Sequence, residues 1–180
     1  MKLAYAVAMA AILGMSVPGR AEVIRFETLS AEKPALQGRA FGNGGQVDKI
    51  VGRAIIAVDP SGPHNAIIAD IALAPRNADG RVEAAADVVI LRPARPNGLM
   101  LLDIPNRGRK LIGLLVEESP IEAYGRLDQA SDAGRGFLLA RGYTVVWVGW
   151  QGDVAPGSGH AHRLAHRAQR HGAVSGRMGF

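Results

Sequence analysis

Apolar residues come in short runs along this chain, each closed by Gly, Pro or Asn/Asp, and the runs differ in period. Val23 to Leu29 alternates, with Ile24, Phe26 and Thr28 on one side and Arg25 and Glu27 on the other, which predicts a half-buried strand. Lys49 to Val58 predicts a second strand, closed by Asp59-Pro60-Ser61-Gly62-Pro63. Ala66 to Leu73 predicts a third, closed by Pro75 and by the hairpin-type turn Asn77-Ala78-Asp79-Gly80. Arg81 to Leu91 predicts a fourth, ended by Arg92-Pro93 and Arg95-Pro96-Asn97-Gly98. Connections this short favour antiparallel pairing.

The pattern changes after Gly98. Leu99 to Ile104 is an almost continuous apolar run and predicts a central strand covered on both faces. Leu111 to Val116 is apolar again and reads as either a helical turn or a lid segment. Glu117 to Gly125 reads as loop, with Pro120 breaking any helix. Ser131 or Asp132 suits the N-cap of a helix running to Arg141, although Gly134 and Gly136 weaken its first turn. Gly142 stands where a helix ends in the left-handed conformation. Thr144 to Val148, β-branched and aromatic, predicts a buried strand, and Gly149 to Asp153 a polar loop leaving its carboxyl end. Strand, helix, strand over 99–148 implies a parallel pair. The expected fold class is α/β, with a β-rich section ahead of it.

The N-terminus adds a targeting signal. Lys2 precedes an uncharged apolar run, Leu3 to Val17, and Pro18-Gly19-Arg20-Ala21 ends it with small residues at Gly19 and Ala21. Residues 1–21 are therefore expected to be a cleaved signal peptide, too short for a comfortable membrane span. Export to the periplasm or medium is the matching expectation, with no stable span after cleavage. The chain has no Cys, which removes disulfides and thiolate chemistry.

Net charge is +5, but its distribution removes the nucleic-acid reading. All sixteen acidic residues lie at or before Asp153, while Arg163, Arg167, Arg170 and Arg177 follow it without an acid. Residues 157–180 form a basic tail holding four of the five His. The abrupt change of composition suggests disorder or out-of-frame translation. His160, His162 and His166 have the only metal-like spacing, and no carboxylate accompanies them, so no metal or other cofactor is expected. Gly42-Asn43-Gly44-Gly45 lacks the Lys-Ser/Thr ending of a phosphate cradle and reads as a loop.

Several separate stretches in order carry a resemblance. They are Asp59-Pro60, Asn65 to Asn77, Gly80 to Glu83, Ile90-Leu91-Arg92-Pro93, Asn106-Arg107-Gly108, Arg141 to Trp147, and Gly149-Trp150-Gln151-Gly152-Asp153. Together they resemble the amino-terminal part of a largely uncharacterised bacterial group of exported α/β-hydrolase-domain proteins, from about Val23 to about Pro156. The resemblance implies the first strands of an incomplete hydrolase sheet over 22–156, with Leu99–Ile104 as its third strand and Thr144–Val148 as its fourth. It also implies that Pro105–Arg109 is the loop contributing to an oxyanion hole, so Asn106, Arg107 and Gly108 become the candidate site: N–H groups there can stabilise a developing negative charge.

Activity of that family needs a Gly-x-Ser-x-Gly elbow, an acid and a His. None of Ser16, Ser30, Ser61, Ser119, Ser131, Ser158 and Ser175 has Gly at both −2 and +2. The expected function is thus the front part of an ester- or amide-directed serine hydrolase, inactive alone, acting in its full form on a small-molecule ester or amide. The alternative is a non-catalytic periplasmic binding or interaction domain; a polyanion binder built on the tail is the weakest reading. Asp103 and Asp153, at strand ends, and Trp147 and Trp150 read as structural groups. An incomplete sheet would leave an open edge, and poor solubility of 22–180 is expected from it.

Overall fold

The computed structural model describes residues 21–106, 109–120 and 127–149, and the backbone of 166–168. Six strands form one sheet: β1 (Glu22–Glu32), β2 (Val47–Val58), β3 (Val82–Pro93), β4 (Met100–Asp103), β5 (Thr144–Val148) and β6 (His166–Ala168). Two short helices, α1 (Leu111–Glu117) and α2 (Phe137–Ala140), lie between β4 and β5 in the sequence. The strand order is β1-β2-β3-β5-β4, and β6 pairs with Ala84–Ala86 of β3. β5 runs antiparallel to β3, with Val88 opposite Val148 and Leu91 opposite Val145. It runs parallel to β4, with Met100 opposite Thr144 and Asp103 opposite Trp147.

Side chains alternate across a strand, so each face collects one parity. Val47, Val89, Leu91, Val145 and Trp147 lie in the larger core, covered by Ala35, Leu36, Phe41, Leu127, Ala133, Leu138 and Leu139. The other face buries only Ala54, Val88 and Val146 as a cluster, with Ile90 and Val148 partly covered. The two faces of one sheet are therefore unequally finished.

Residues 57–83, with Glu22, form a separate compact unit. The strand expected over Ala66–Leu73 is absent there. The segment is turns and single 3-10 turns, Pro63–Asn65 and Ile71–Leu73, with backbone bonds that stay local. Ile71 is buried, but Ile67 is 89% exposed and Leu73 is exposed as well. Asp70 adopts a positive φ of 56°, which interrupts any extended run. The turn read at Asn77–Gly80 is present: Gly80 N donates to Asn77 O at 2.9 Å and Asn77 N to Arg81 O at 2.8 Å.

The expected α/β class is not what forms. The described fold is a mostly β mixed sheet with only two helices, not an α/β-hydrolase sheet with its helical layers. Local conformation gives the reason. The helix expected to run to Arg141 is divided into a 3-10 turn, Ala130–Ala133, and the four-residue α2. Between them Gly134 and Gly136 adopt φ of 57° and 68°, outside the helical region. A Cβ on Gly134 would lie 2.0 Å from the Glu117 carbonyl oxygen, and one on Gly136 would lie 2.1 Å from the Phe41 ring. These glycines are where the backbone passes close to its neighbours, and not weak points in a continuous helix.

Two more expectations change. Among the described residues β4 is not central: it ends the order, and the undecided run after it folds as α1. Three residues of the basic tail, His166–Ala168, pair with β3, while the rest of the tail, Asp153 and Trp150 lie outside the described residues. The C-terminal signal of α2 holds. Gly142 at φ 82° lets its own N–H reach Leu139 O at 3.0 Å and Tyr143 N reach Leu138 O at 3.1 Å, the paired bonds of a Schellman ending.

Gly134→Ala is expected to destabilise the fold by more than about 2 kcal/mol, through overlap with Glu117 added to a left-handed backbone. Gly80→Ala, with φ 75° and open space around the added carbon, should cost only about 1 kcal/mol. Urea unfolding of the two variants checks the order.

Candidate functional site

Of the loop expected to serve an oxyanion, Asn106 is described and exposed, and its carbonyl accepts from Arg109 N at 3.0 Å. That bond joins the two described ends of the loop. Arg107 and Gly108 lie outside the described residues. Asp103, just before the loop, has a structural task. Its Oδ2 accepts from Trp147 Nε1 at 2.9 Å and from Ile112 N at 3.1 Å, tying β4 to β5 and to the start of α1. His64 sits exposed in the Pro63–Asn65 turn. His160 and His162 lie outside the described residues, and for His166 the backbone alone is described.

A charged cluster that sequence reasoning missed lies on the better-covered face. Lys49 Nζ contacts Glu32 Oε2 at 2.9 Å, Asp128 Oδ1 at 2.9 Å and the Leu127 carbonyl at 3.0 Å. Burial pulls its pKa down, but the Glu32 and Asp128 carboxylates outweigh burial and hold it above the usual lysine value. Lys110 is nearly fully buried, with 3% of its surface exposed. Burial lowers its pKa to about 8, Lys49 adds to the lowering, and Asp128, Asp103 and Asp132 oppose it. Lys49, Lys110 and Asp128, with Val51, Val89 and Leu127, line a cavity of about 10 Å³. That is room for one water and no more. An amine near pKa 8 has the reactivity of a base or nucleophile, but a space this small admits no organic substrate. Lys110 follows Arg107-Gly108-Arg109 in the sequence, so composition alone marks it as part of a solvated turn.

Two buried carboxylates complete the local scaffold. Glu117 accepts from Phe137 N and, at 2.8 Å, from Leu138 N, which satisfies the first amides of α2. Asp132 Oδ2 accepts from Asp128 N at 2.9 Å and Gln129 N at 3.0 Å. A second cavity of about 30 Å³, lined by Glu117, Leu138, Trp147 and their apolar neighbours, is a packing gap inside the larger core.

The remaining unusual feature is the outer side of β4. Among the described residues no strand pairs with it opposite β5. Thr144 N donates to Leu99 O at 3.0 Å, which sets the phase of the parallel ladder. Residues 99, 101 and 103 turn their backbone groups toward β5, and Met100 and Leu102 turn theirs to the open side. Leu99, Met100, Leu102 and Ile104 are each more than half exposed. Between Leu99 and Leu102 there is no charge and no Pro, the usual means of blunting an edge. β1, the opposite edge, carries Arg25, Glu27 and Glu32, with an Arg25–Glu27 pair at 2.9 Å. Among the described residues no helix is long and apolar enough to cross a membrane.

No protein-family model, curated protein or solved structure matches this chain.

The lowered pKa of Lys110 links folding to pH. Between about 8 and 10.5 the unfolded chain holds a proton on this lysine that the folded chain has released. Stability therefore rises with pH across that window, by up to about 3 kcal/mol, and below it the penalty is complete. Lys49, held above its ordinary value, works in the opposite sense, but only above 10.5. Urea midpoints from pH 7.5 to 10 should rise for the native chain and stay flatter for Lys110→Met.

Proposed function

We propose that this chain is an exported interaction module that works by strand addition at the outer side of β4. The carrying observation is that edge: Met100 and Leu102 aim their backbone N–H and C=O groups away from β5, and Leu99, Met100, Leu102 and Ile104 are exposed around them. Main-chain bonds along such an edge give affinity, and alternate side chains give selectivity. The N-terminal run from Lys2 to Ala21 supports export.

The motifs Asn106-Arg107-Gly108 and Gly149 to Asp153 favour a second component of the same reading. They support a role as the front part of an ester- or amide-directed hydrolase, one that carries no Gly-x-Ser-x-Gly elbow of its own.

Leu102→Pro tests the edge. It removes one outward N–H that β5 does not use, so far-UV circular dichroism should persist and stability should change by about 1 kcal/mol or less. Solubility should rise, because the pairing edge is blocked. Loss of the sheet signal would mean that the Leu102 N–H is engaged inside the fold, and the reading would fail. A fluorophosphonate probe should label no serine of the isolated chain; labelling would overturn the second component.

A further inference from the structure

The geometry points to a second copy of this chain as the occupant of the β4 edge, paired antiparallel about a two-fold axis through Leu102. This inference rests on the strand-addition reading and specifies its partner. A two-fold axis perpendicular to the sheet keeps each side chain on its own face, so it must pass beside a residue and pair positions of one parity.

Four centres are possible within β4, and centring on Met100 sets Leu102 opposite Gly98 and leaves Ile104 without a partner. Centring on Asp103 sets two carboxylates opposite each other, which is unfavourable. Centring on Leu101 leaves Ile104 without a partner. Centring on Leu102 pairs Met100 with the second copy's Ile104, Leu102 with its own mate, and Ile104 with the second copy's Met100. Every exposed apolar side chain on that face then gains a cross-strand neighbour. Asp103 lies opposite Leu101, on the other face, with its Oδ2 already held by Trp147 and Ile112.

The backbone agrees with this centre. Met100 and Leu102 already present N–H and C=O outward, and an extended Ile104, as expected for a residue before Pro105, presents them in the same phase. The pairing forms about six ladder bonds, two for each opposed pair. It closes on itself, so it yields a dimer and not a fibre. The apolar area covered is a few hundred Å² in all, below the roughly 1,200 Å² of a stable complex, so the dimer dissociates on dilution.

Sedimentation velocity of the full chain over a wide dilution series tests this. A reversible monomer–dimer transition is expected. Met100→Lys and Ile104→Glu should each weaken dimerisation by about tenfold, since each places charge against an apolar partner twice. The double variant opposes Lys to Glu at both symmetric pairs and should recover to within about threefold of the native chain. Recovery cannot come from a merely structural role of either residue.

Three results would overturn the proposal. One is a monomer at every concentration. The second is growth to species of indefinite size, which replaces a closed dimer with an open stack. The third is a double variant weaker than both single variants, which excludes this register. Amide exchange separates this failure from failure of the strand-addition reading. In a monomer, fast exchange at Met100 and Leu102 leaves the edge open to another partner, whereas slow exchange there removes both.

Discussion

The carboxylate of Asp103 is the interaction on which the arrangement around β4 depends. It stands at the last residue of β4 and accepts from Trp147 Nε1 on β5 and from Ile112 N at the start of α1. β4 is four residues long and lies at the end of the strand order, so its parallel ladder alone is a slender attachment. A charge-assisted acceptor that joins it to the core tryptophan and to the next helix fixes its direction and the point where the chain leaves it. The pairing of Asn106 with Arg109 begins three residues later. The start of the candidate loop is therefore set by a half-buried acid.

Glu117 and Asp132 extend the same design. Between β4 and β5 the chain builds no long helix that could satisfy its own backbone. It uses 3-10 turns, glycines with positive φ and two short helices, and each leaves amides to be satisfied. Glu117 takes two at α2, and Asp132 takes two where the chain enters the Ala130–Ala133 turn. Buried carboxylates that each accept two N–H bonds replace the helical layer expected from the strand-helix-strand pattern. Removing one would leave two backbone N–H groups without their acceptor, a larger loss than that of a single exposed ion pair.

What could be read from the residues follows from how local each feature is. Thr144–Val148 and the Gly142 ending were legible because composition and one glycine determine them. Asn77–Gly80 was legible for the same reason. Ala66–Leu73 has the apolar residues of a strand, yet all but Ile71 stay exposed, and nothing in the segment itself shows that. Gly134 and Gly136 were counted as costs to a helix because their close neighbours, Glu117 and Phe41, are remote in sequence. Lys110 was hidden by flanking arginines. At the candidate loop, Asn106 was placed after a strand as expected, but Asp103's hold on that strand depends on Trp147, 44 positions away.

The two faces and two edges of the sheet also separate stability from function. The larger core, with Trp147, Leu91 and Val145 beneath residues 35–41 and 127–139, supplies the buried apolar area. The opposite face buries only a small cluster, and at β4 its side chains reach solvent. An exposed apolar edge has no stabilising role in an isolated fold, and it raises the risk of unwanted pairing. β1 carries charges that limit this risk, whereas β4 has none before Asp103, although a charge at Met100 or Leu102 would disturb neither Asp103 nor the larger core. Met100 and Leu102 face away from both. Their apolar character is explained by contact with another chain more directly than by any need of this fold.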